Sequence, residues 1–214
     1  MLDTFNKMVA KNGNVMDRIV DGKLTLSMES GSLPTERFIF FLSQNRLLLK
    51  EISGNVAVLS ARMPDADDSQ SLLSLSQITY EEYMFSHQLM NSLGEINNSG
   101  PDLINQPLLS TLSYYSFLYK TCSQFPISSS VASLLPFLIG RYEIGNRYRK
   151  TAKDIYRPLL AYYGSTKQRS MVEDFIGLFN ALDHHDPGDE LAFKIAANLE
   201  IRYLDDVVAD NDLL

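Results

Sequence analysis

A single cysteine, Cys122, in 214 residues excludes an internal disulfide framework and any cysteine-based metal cluster. That scarcity points to a soluble protein of a reducing compartment. Glycine (11) and proline (8) are also few, which argues against a turn-rich β-sandwich and against disorder. Positive charge is in deficit. The 19 basic and 26 acidic residues give a formal charge of −7, the wrong sign for a general nucleic-acid binder. Long apolar runs are missing as well: Val131 to Gly140, the longest, is about half of what a membrane span needs. The segment from Met1 to Val20 scatters Asp3, Lys7, Lys11 and Asp17 among its apolar residues and so lacks a signal-peptide core. A cytoplasmic, unprocessed protein that binds neither nucleic acid nor membrane is expected.

What is present is a hydrophobic fraction of 45%, ample for a core, and a helical period in its placement. From Pro34 to Met63 apolar residues recur three and four apart: Phe38, Phe41 and Leu42, then Leu48, Leu49 and Ile52, then Val56 and Leu59. Pro34 and Glu36 mark the start, and Pro64 with Asp65 the end. Further helices are expected over Ser69–Leu93, Gln106–Cys122, Ser128–Arg149, Ala152–Tyr163 and Arg169–Leu182. The last helix should run to about Val208, with Asp186 as N-cap, Pro187 in the first turn and Asp189 as the third-position acid. The stretch between Gly94 and Pro107 reads as the longest loop, and no strand alternation or internal repeat is evident. Seven to eight helices with short connections make one all-α domain over residues 1–214.

Three segments together carry a family resemblance. The first is Glu29-x-Gly31-x-Leu33-Pro34-x-x-x-Phe38-x-x-Phe41-Leu42-x-Gln44-Asn45, closed by Ala61-x-x-Pro64-Asp65. The second is Leu134-Leu135-Pro136-Phe137 followed by Tyr142-Glu143-Ile144-Gly145, and the third is Leu199-Glu200-x-x-Tyr203-x-Asp205. In order and spacing they resemble the TenA/Thi-4 proteins of the all-α heme-oxygenase-like superfamily, over roughly residues 15 to 208. The resemblance implies a homodimer or homotetramer that needs no cofactor and acts on thiamin or its degraded pyrimidine. It also implies a cysteine nucleophile, an aspartate gripping the aminopyrimidine, a proton-transferring glutamate and surrounding tyrosines.

Several of those positions have changed. Phe137 stands where the cysteine is expected, Asn45 where the aspartate is, Leu48 for one tyrosine and Arg141 for another. Glu200, Tyr114 and one of Tyr162 or Tyr163 match. Without a thiolate the covalent displacement has no nucleophile of the usual kind. Asn45 is a neutral donor and acceptor and cannot supply a charged grip. Cys122, fifteen residues before Phe137 on another helix, reads as a small buried hydrophobe. The resemblance therefore gives Glu200 as the remaining catalytic candidate. Asn45, Tyr114, Phe137, Arg141 and Tyr163 would surround a small aromatic or heterocyclic ligand.

Other readings stay open at this level. A non-catalytic, partner-binding descendant of the fold is one, since a phenyl ring at 137 could fill the cavity. Oxygenases and oxidases of the CADD and PqqC types share the superfamily. Glu81, Glu82, His87 and Glu143 offer a few ligand types for such a site, but the late helix lacks the expected histidines, so no metal is assigned. His184, His185, Asp186 and Asp189 form the densest cluster of ligand-type residues, which helix capping largely explains. Arg141, Arg147, Arg149, Lys150 and Lys153, interleaved with Tyr142, Tyr148 and Tyr156, read as a solvated surface, apart from Arg141. The resemblance turns Arg141 inward, where a guanidinium demands an anion, and Glu200 is the expected partner.

Overall fold

The computed structural model describes residues 4–94, 106–182 and 187–209. Among them are ten helices and no strand. We number the helices α1 (Thr4–Lys11), α2 (Val15–Val20), α3 (Lys23–Ser30), α4 (Thr35–Ser60), α5 (Ala66–Ser92), α6 (Leu109–Gln124), α7 (Ile127–Tyr148), α8 (Arg157–Tyr163), α9 (Thr166–Ala181) and α10 (Gly188–Asp206). The seven helices expected from periodicity correspond to α4 through α10. Three short N-terminal ones add to them. No helix among the described residues is long and apolar enough to cross a membrane.

Two helices are central. Residues 38 to 45 of α4 are all buried, so this helix is surrounded rather than amphipathic and packs against both α5 and α6. Nearly every residue of α7 from Ser128 to Gly145 is buried, and small side chains such as Ser128, Ser129, Ser130, Ala132, Ser133 and Gly140 let neighbours approach closely. Helix α10 lies along α7 and also meets α6 and α2. Buried apolar side chains from all ten helices form one cluster.

Local signals set the boundaries. Asp65 both follows α4 and caps α5, its Oδ1 accepting from the amides of Asp67 (2.9 Å) and Asp68 (3.1 Å). Helix α5 thus starts three residues earlier than the apolar pattern implies. Pro158 in the first turn delays α8 to Arg157, past the expected start at Ala152. At α10, Pro187 occupies the N-cap position, and Asp189 is buried and accepts the hydroxyls of Ser128 (2.9 Å) and Ser129 (2.7 Å). Its carboxylate joins the start of α10 to the start of α7. The cap expected at Asp186, the histidines 184 and 185, and residues 95–105 of the expected loop lie outside the described residues.

The basic, tyrosine-rich stretch after Arg141 is not simply a solvated face. Arg147 and Tyr148 hold Asp21 at 2.7 and 2.5 Å, Lys153 donates to the carbonyl of Gly31 (2.7 Å), and Tyr156 donates to that of Leu33. These residues clamp the end of α2 and the α3–α4 turn onto the C-terminal half. Gly31 ends α3 with φ +70°, a left-handed conformation that glycine adopts without strain.

Gly145 and Gly164 bring two backbones into contact where α7 passes the end of α8. A Cβ on Gly145 would lie 2.2 Å from the amide nitrogen of Gly164 and 2.6 Å from the carbonyl oxygen of Leu160. Both obstacles are main chain and cannot swing away. Gly145→Ala should therefore cost roughly 2 kcal/mol or more of stability, read as a lowered thermal midpoint. By contrast, Gly54→Ala on α4, where a Cβ meets nothing within 4 Å, should leave the midpoint unchanged or raise it.

Candidate functional site

The helices converge on a buried polar cluster around Arg141, which is only 5% exposed. A guanidinium cannot shed its proton inside a protein, so the surroundings must neutralise it. Its Nη1 donates to Glu82 Oε1 at 2.8 Å and to the hydroxyl of Tyr163, and its Nη2 donates to Asn45 Oδ1 at 2.7 Å. The Asn45 amide nitrogen in turn reaches Ser86 Oγ at 3.3 Å, one helical turn beyond Glu82 on α5. The guanidinium lies 4.1 Å from the ring centre of Phe137 and 5.2 Å from that of Tyr163, so aromatic faces cover it. Phe137 precedes Arg141 by one turn of α7, which places ring and cation on the same helix face.

The carboxylate that binds Arg141 is thus Glu82, not Glu200. This corrects the pairing expected from sequence, where Glu82 was weighed only as a metal ligand. The physical reason is positional: Glu82 and Ser86 share the inward face of α5, so one turn of that helix serves both Arg141 and Asn45. Neighbouring Glu81 points the other way and pairs with Lys167 at the surface. The two carboxylates diverge, and His87 meets Asn91 instead. Among the described residues no group of three or more histidine, cysteine or acidic side chains is arranged to hold a metal ion. These residues do not fit a di-iron site.

Glu200, on α10, belongs to the same cluster but makes no hydrogen bond to Arg141. It is 1% exposed and its Oε2 has no partner. Burial pushes its carboxyl up to about 7, against the pull of the Arg141 charge and of the Tyr114 hydroxyl, while the Glu82 charge adds to the rise. Burial also raises Glu82, in spite of Arg141, Asn45 and Tyr163. One guanidinium balances one carboxylate, so the second carboxyl retains a proton to higher pH. Glu200, without Arg141's direct bonds, is that second group.

Three further buried atoms beside Glu200 lack a well-formed hydrogen bond: the hydroxyls of Tyr114 and Tyr203 and Nε of Arg141. Each such atom costs about 1–3 kcal/mol when left unpaired in a protein interior. Burial holds the phenols of Tyr114, Tyr163 and Tyr203 above their ordinary range, so all three are neutral. Asn45, Glu82, Tyr163 and the two terminal nitrogens of Arg141 are closed by internal bonds, whereas Glu200, Tyr114, Tyr203 and Arg141 Nε offer unused bonding capacity.

The residues singled out from sequence are therefore brought together: Asn45, Tyr114, Phe137, Arg141, Tyr163 and Glu200 all take part. Tyr163 rather than Tyr162 faces the cluster, since Tyr162 stacks on Phe85 at 4.8 Å. Ser86 was not singled out, Glu82 was weighed only as a metal ligand, and Tyr203 stood only as part of the closing motif. Glu82 was recoverable in principle, because a buried arginine requires a carboxylate and α5 carries one on its apolar face. Surface grooves, such as one of about 420 Å³ between α5 and α9 lined by Leu75, Ile78, Met171 and Phe175, share no residue with the cluster.

Two stability measurements check this electrostatic arrangement. Glu82→Gln should lose about 3–5 kcal/mol because it strands the buried Arg141 charge, and adding Arg141→Met should restore part of the loss. Glu200 behaves in the opposite sense. Its native pKa of about 7 exceeds its ordinary value of 4.5, so the folded state holds the extra proton between them. Stability should fall as pH rises through that window, by about 3 kcal/mol in all, and Glu200→Gln should flatten the slope.

Comparison with known proteins gives the family and the fold. Residues 14–204 match the sequence model of the TENA/THI-4/PQQC family. Over 173 residues the chain is 26% identical to the aminopyrimidine aminohydrolase of Bacillus subtilis (strain 168), covering 80% of this chain and 72% of that protein. The TenA family transcription regulator of Silicibacter sp. TM1040 superposes with a TM-score of 0.86 at 17% identity, over 96% of both chains. A TenA homologue from P. horikoshii OT3 gives 0.83 at 19% identity, over 95% of this chain and 97% of that one. The fold is accordingly the heme-oxygenase-like bundle of those neighbours. Because the matched residues run from just before α2 into the last turn of α10 and carry the whole buried cluster with them, the chain belongs to the TENA/THI-4/PQQC family.

Proposed function

We propose that this protein binds a small aminopyrimidine-like heterocycle against Glu200, Tyr114 and Tyr203, and that it does not carry out a cysteine-dependent displacement. The observation that carries this reading is the buried Glu200 carboxyl, with a free oxygen and a pKa of about 7. Such a group exchanges a proton readily at neutral pH. An aminopyrimidine presents a ring nitrogen and an amino N–H side by side, and a carboxyl group answers both with two parallel hydrogen bonds. The phenol hydroxyls of Tyr114 and Tyr203 can meet further polar atoms of the ligand. The relation to an aminopyrimidine aminohydrolase supports the same ligand class and a link to thiamin or aminopyrimidine metabolism.

The loss of covalent chemistry rests on two side chains. Phe137 has no nucleophilic atom, and its ring is engaged with Arg141. Cys122 is fully buried on α6, and burial pushes its thiol up to about 12, so almost no thiolate exists at neutral pH. Asn45, at the position of the aspartate grip, spends its amide oxygen on Arg141 and its amide nitrogen on Ser86. Ligand recognition accordingly shifts towards α6 and α10.

Thermal denaturation with a panel of aminopyrimidines and thiamin tests the binding. An aminopyrimidine should raise the midpoint in a concentration-dependent way, and Glu200→Gln should diminish the shift. No stabilisation by any member of the panel would overturn the reading. Iodoacetamide provides a separate check on the chemistry. Cys122 should resist alkylation in the native protein, react once the protein is unfolded in urea, and leave ligand binding untouched when replaced by serine or alanine.

A further inference from the structure

Away from the Arg141 cluster, the seam between α4 and α5 holds a second arginine whose needs are not met. The two helices run antiparallel in a register fixed by polar pairs: Ser60 with Ser69 at 3.2 Å, Ser53 with Ser76 at 3.3 Å, and Asn45 with Ser86 at 3.3 Å. That register sets Arg46 opposite Tyr83, and the guanidinium carbon lies 5.9 Å from the centre of the ring. His87 follows Tyr83 by one turn of α5 and so shares its face. All three side chains are half-buried.

Two donors at this seam have no acceptor. Arg46 Nε is buried without a hydrogen bond, and among the described residues Arg46 makes no ion pair. Arg62 and Arg149, half-buried like it, donate to main-chain carbonyls. The neighbouring carboxylates are engaged elsewhere: Glu81 with Lys167, Glu82 with Arg141, and Glu51 beside Tyr115 of α6. His87 Nδ1 is also buried and unpaired. Its Nε2 faces the amide nitrogen of Asn91 at 3.4 Å, so Nε2 accepts and the proton of the neutral ring lies on Nδ1. One charged N–H from α4 and one neutral N–H from α5 thus share a seam in which no described group accepts from either. Folded proteins seldom leave buried donors in that state.

We infer that Arg46 and His87 form a binding site for a phosphate-type oxyanion, distinct from the Arg141 cluster and independent of the ligand reading above. Such an ion supplies both things the seam lacks, a negative charge for Arg46 and oxygens to accept the two N–H groups. Its tetrahedral shape suits donors that come from different helices: one oxygen accepts from Arg46 while another accepts from His87 Nδ1. A planar carboxylate presents its oxygens to one side and meets the two donors less well. Tyr83 lies against the guanidinium and limits its hydration, which strengthens its hold on an anion. Lys50, exposed one turn further along α4, adds to the positive field around the seam.

Isothermal titration of the full chain with inorganic phosphate, in chloride at constant ionic strength, tests the site. Phosphate should bind saturably, and acetate at least about tenfold more weakly. Arg46→Met keeps the length of the side chain but none of its donors, and should weaken phosphate binding at least about tenfold. Arg46→Lys, which restores the charge without the Nε–H, should recover only part of that loss and guards against a folding defect in the first variant. His87→Phe should cost about threefold to tenfold. Lys50→Met removes the same charge from the same helix, yet should cost less than about twofold because an exposed charge is screened. No saturable binding of phosphate, or equal losses in Arg46→Met and Lys50→Met, would overturn the inference, the second result meaning a diffuse field in place of a site. Acetate binding as tightly as phosphate would overturn the assignment to a phosphate-type ion.

Discussion

The interior of this protein is organised by the need to bury one arginine. Arg141 sits at the crossing of the two central helices' neighbourhoods, and four helices each give a side chain to it: Asn45 from α4, Glu82 from α5, Phe137 from α7 and Tyr163 from α8. Those contacts fix the register of α5 and α8 relative to α7 more narrowly than apolar packing would, because hydrogen bonds to a planar guanidinium are directional. Removing a single partner leaves a charge with nowhere to go. Removing both leaves an apolar gap that the core can partly close. That asymmetry separates the effects of substitution at Glu82 and at Glu200, although both are buried glutamates of one cluster.

The same arginine divides the site in two. On its Asn45 side every polar group is satisfied from within the chain, and the ring of Phe137 covers the cation. On its Glu200 side the hydroxyls of Tyr114 and Tyr203 and one carboxylate oxygen lack a well-formed hydrogen bond. Unsatisfied groups of this kind are rare in protein interiors and accumulate where something else is to be bound. On that side of the cluster, proton affinity and charge are the available chemistry.

Much of the fold was legible because the long helices declare themselves by period and caps. Phe38, Phe41, Leu42, Leu48 and Leu49 define α4 from the sequence, and Pro34 marks its start. Helices α1 to α3 were not recognised, since segments of six to eight residues hold too few turns for a period to stand out. Within the site, Asn45, Tyr114, Phe137, Arg141, Tyr163 and Glu200 were reachable through motif order, and they do converge. Which acid faces Arg141 was not legible. Glu81 and Glu82 are adjacent in sequence, and only the rotation of α5 decides that the second points inward while the first meets Lys167. Hydrogen bonds between distant elements leave no local pattern, so the ties of Asp189 to Ser128 and Ser129 were equally invisible.

The clamp on the N-terminal helices has a consequence for how the chain is made. Asp21, Gly31 and Leu33 are tied to Tyr148, Lys153 and Tyr156 across 122 to 127 residues of intervening sequence. During synthesis, α2 and α3 therefore emerge well before the residues that hold them exist. Ile19, Leu24 and Met28, fully covered in the finished protein, stay uncovered on the ribosome until most of the chain has been translated. Folding is thus weighted towards its end, with non-local contacts closing last.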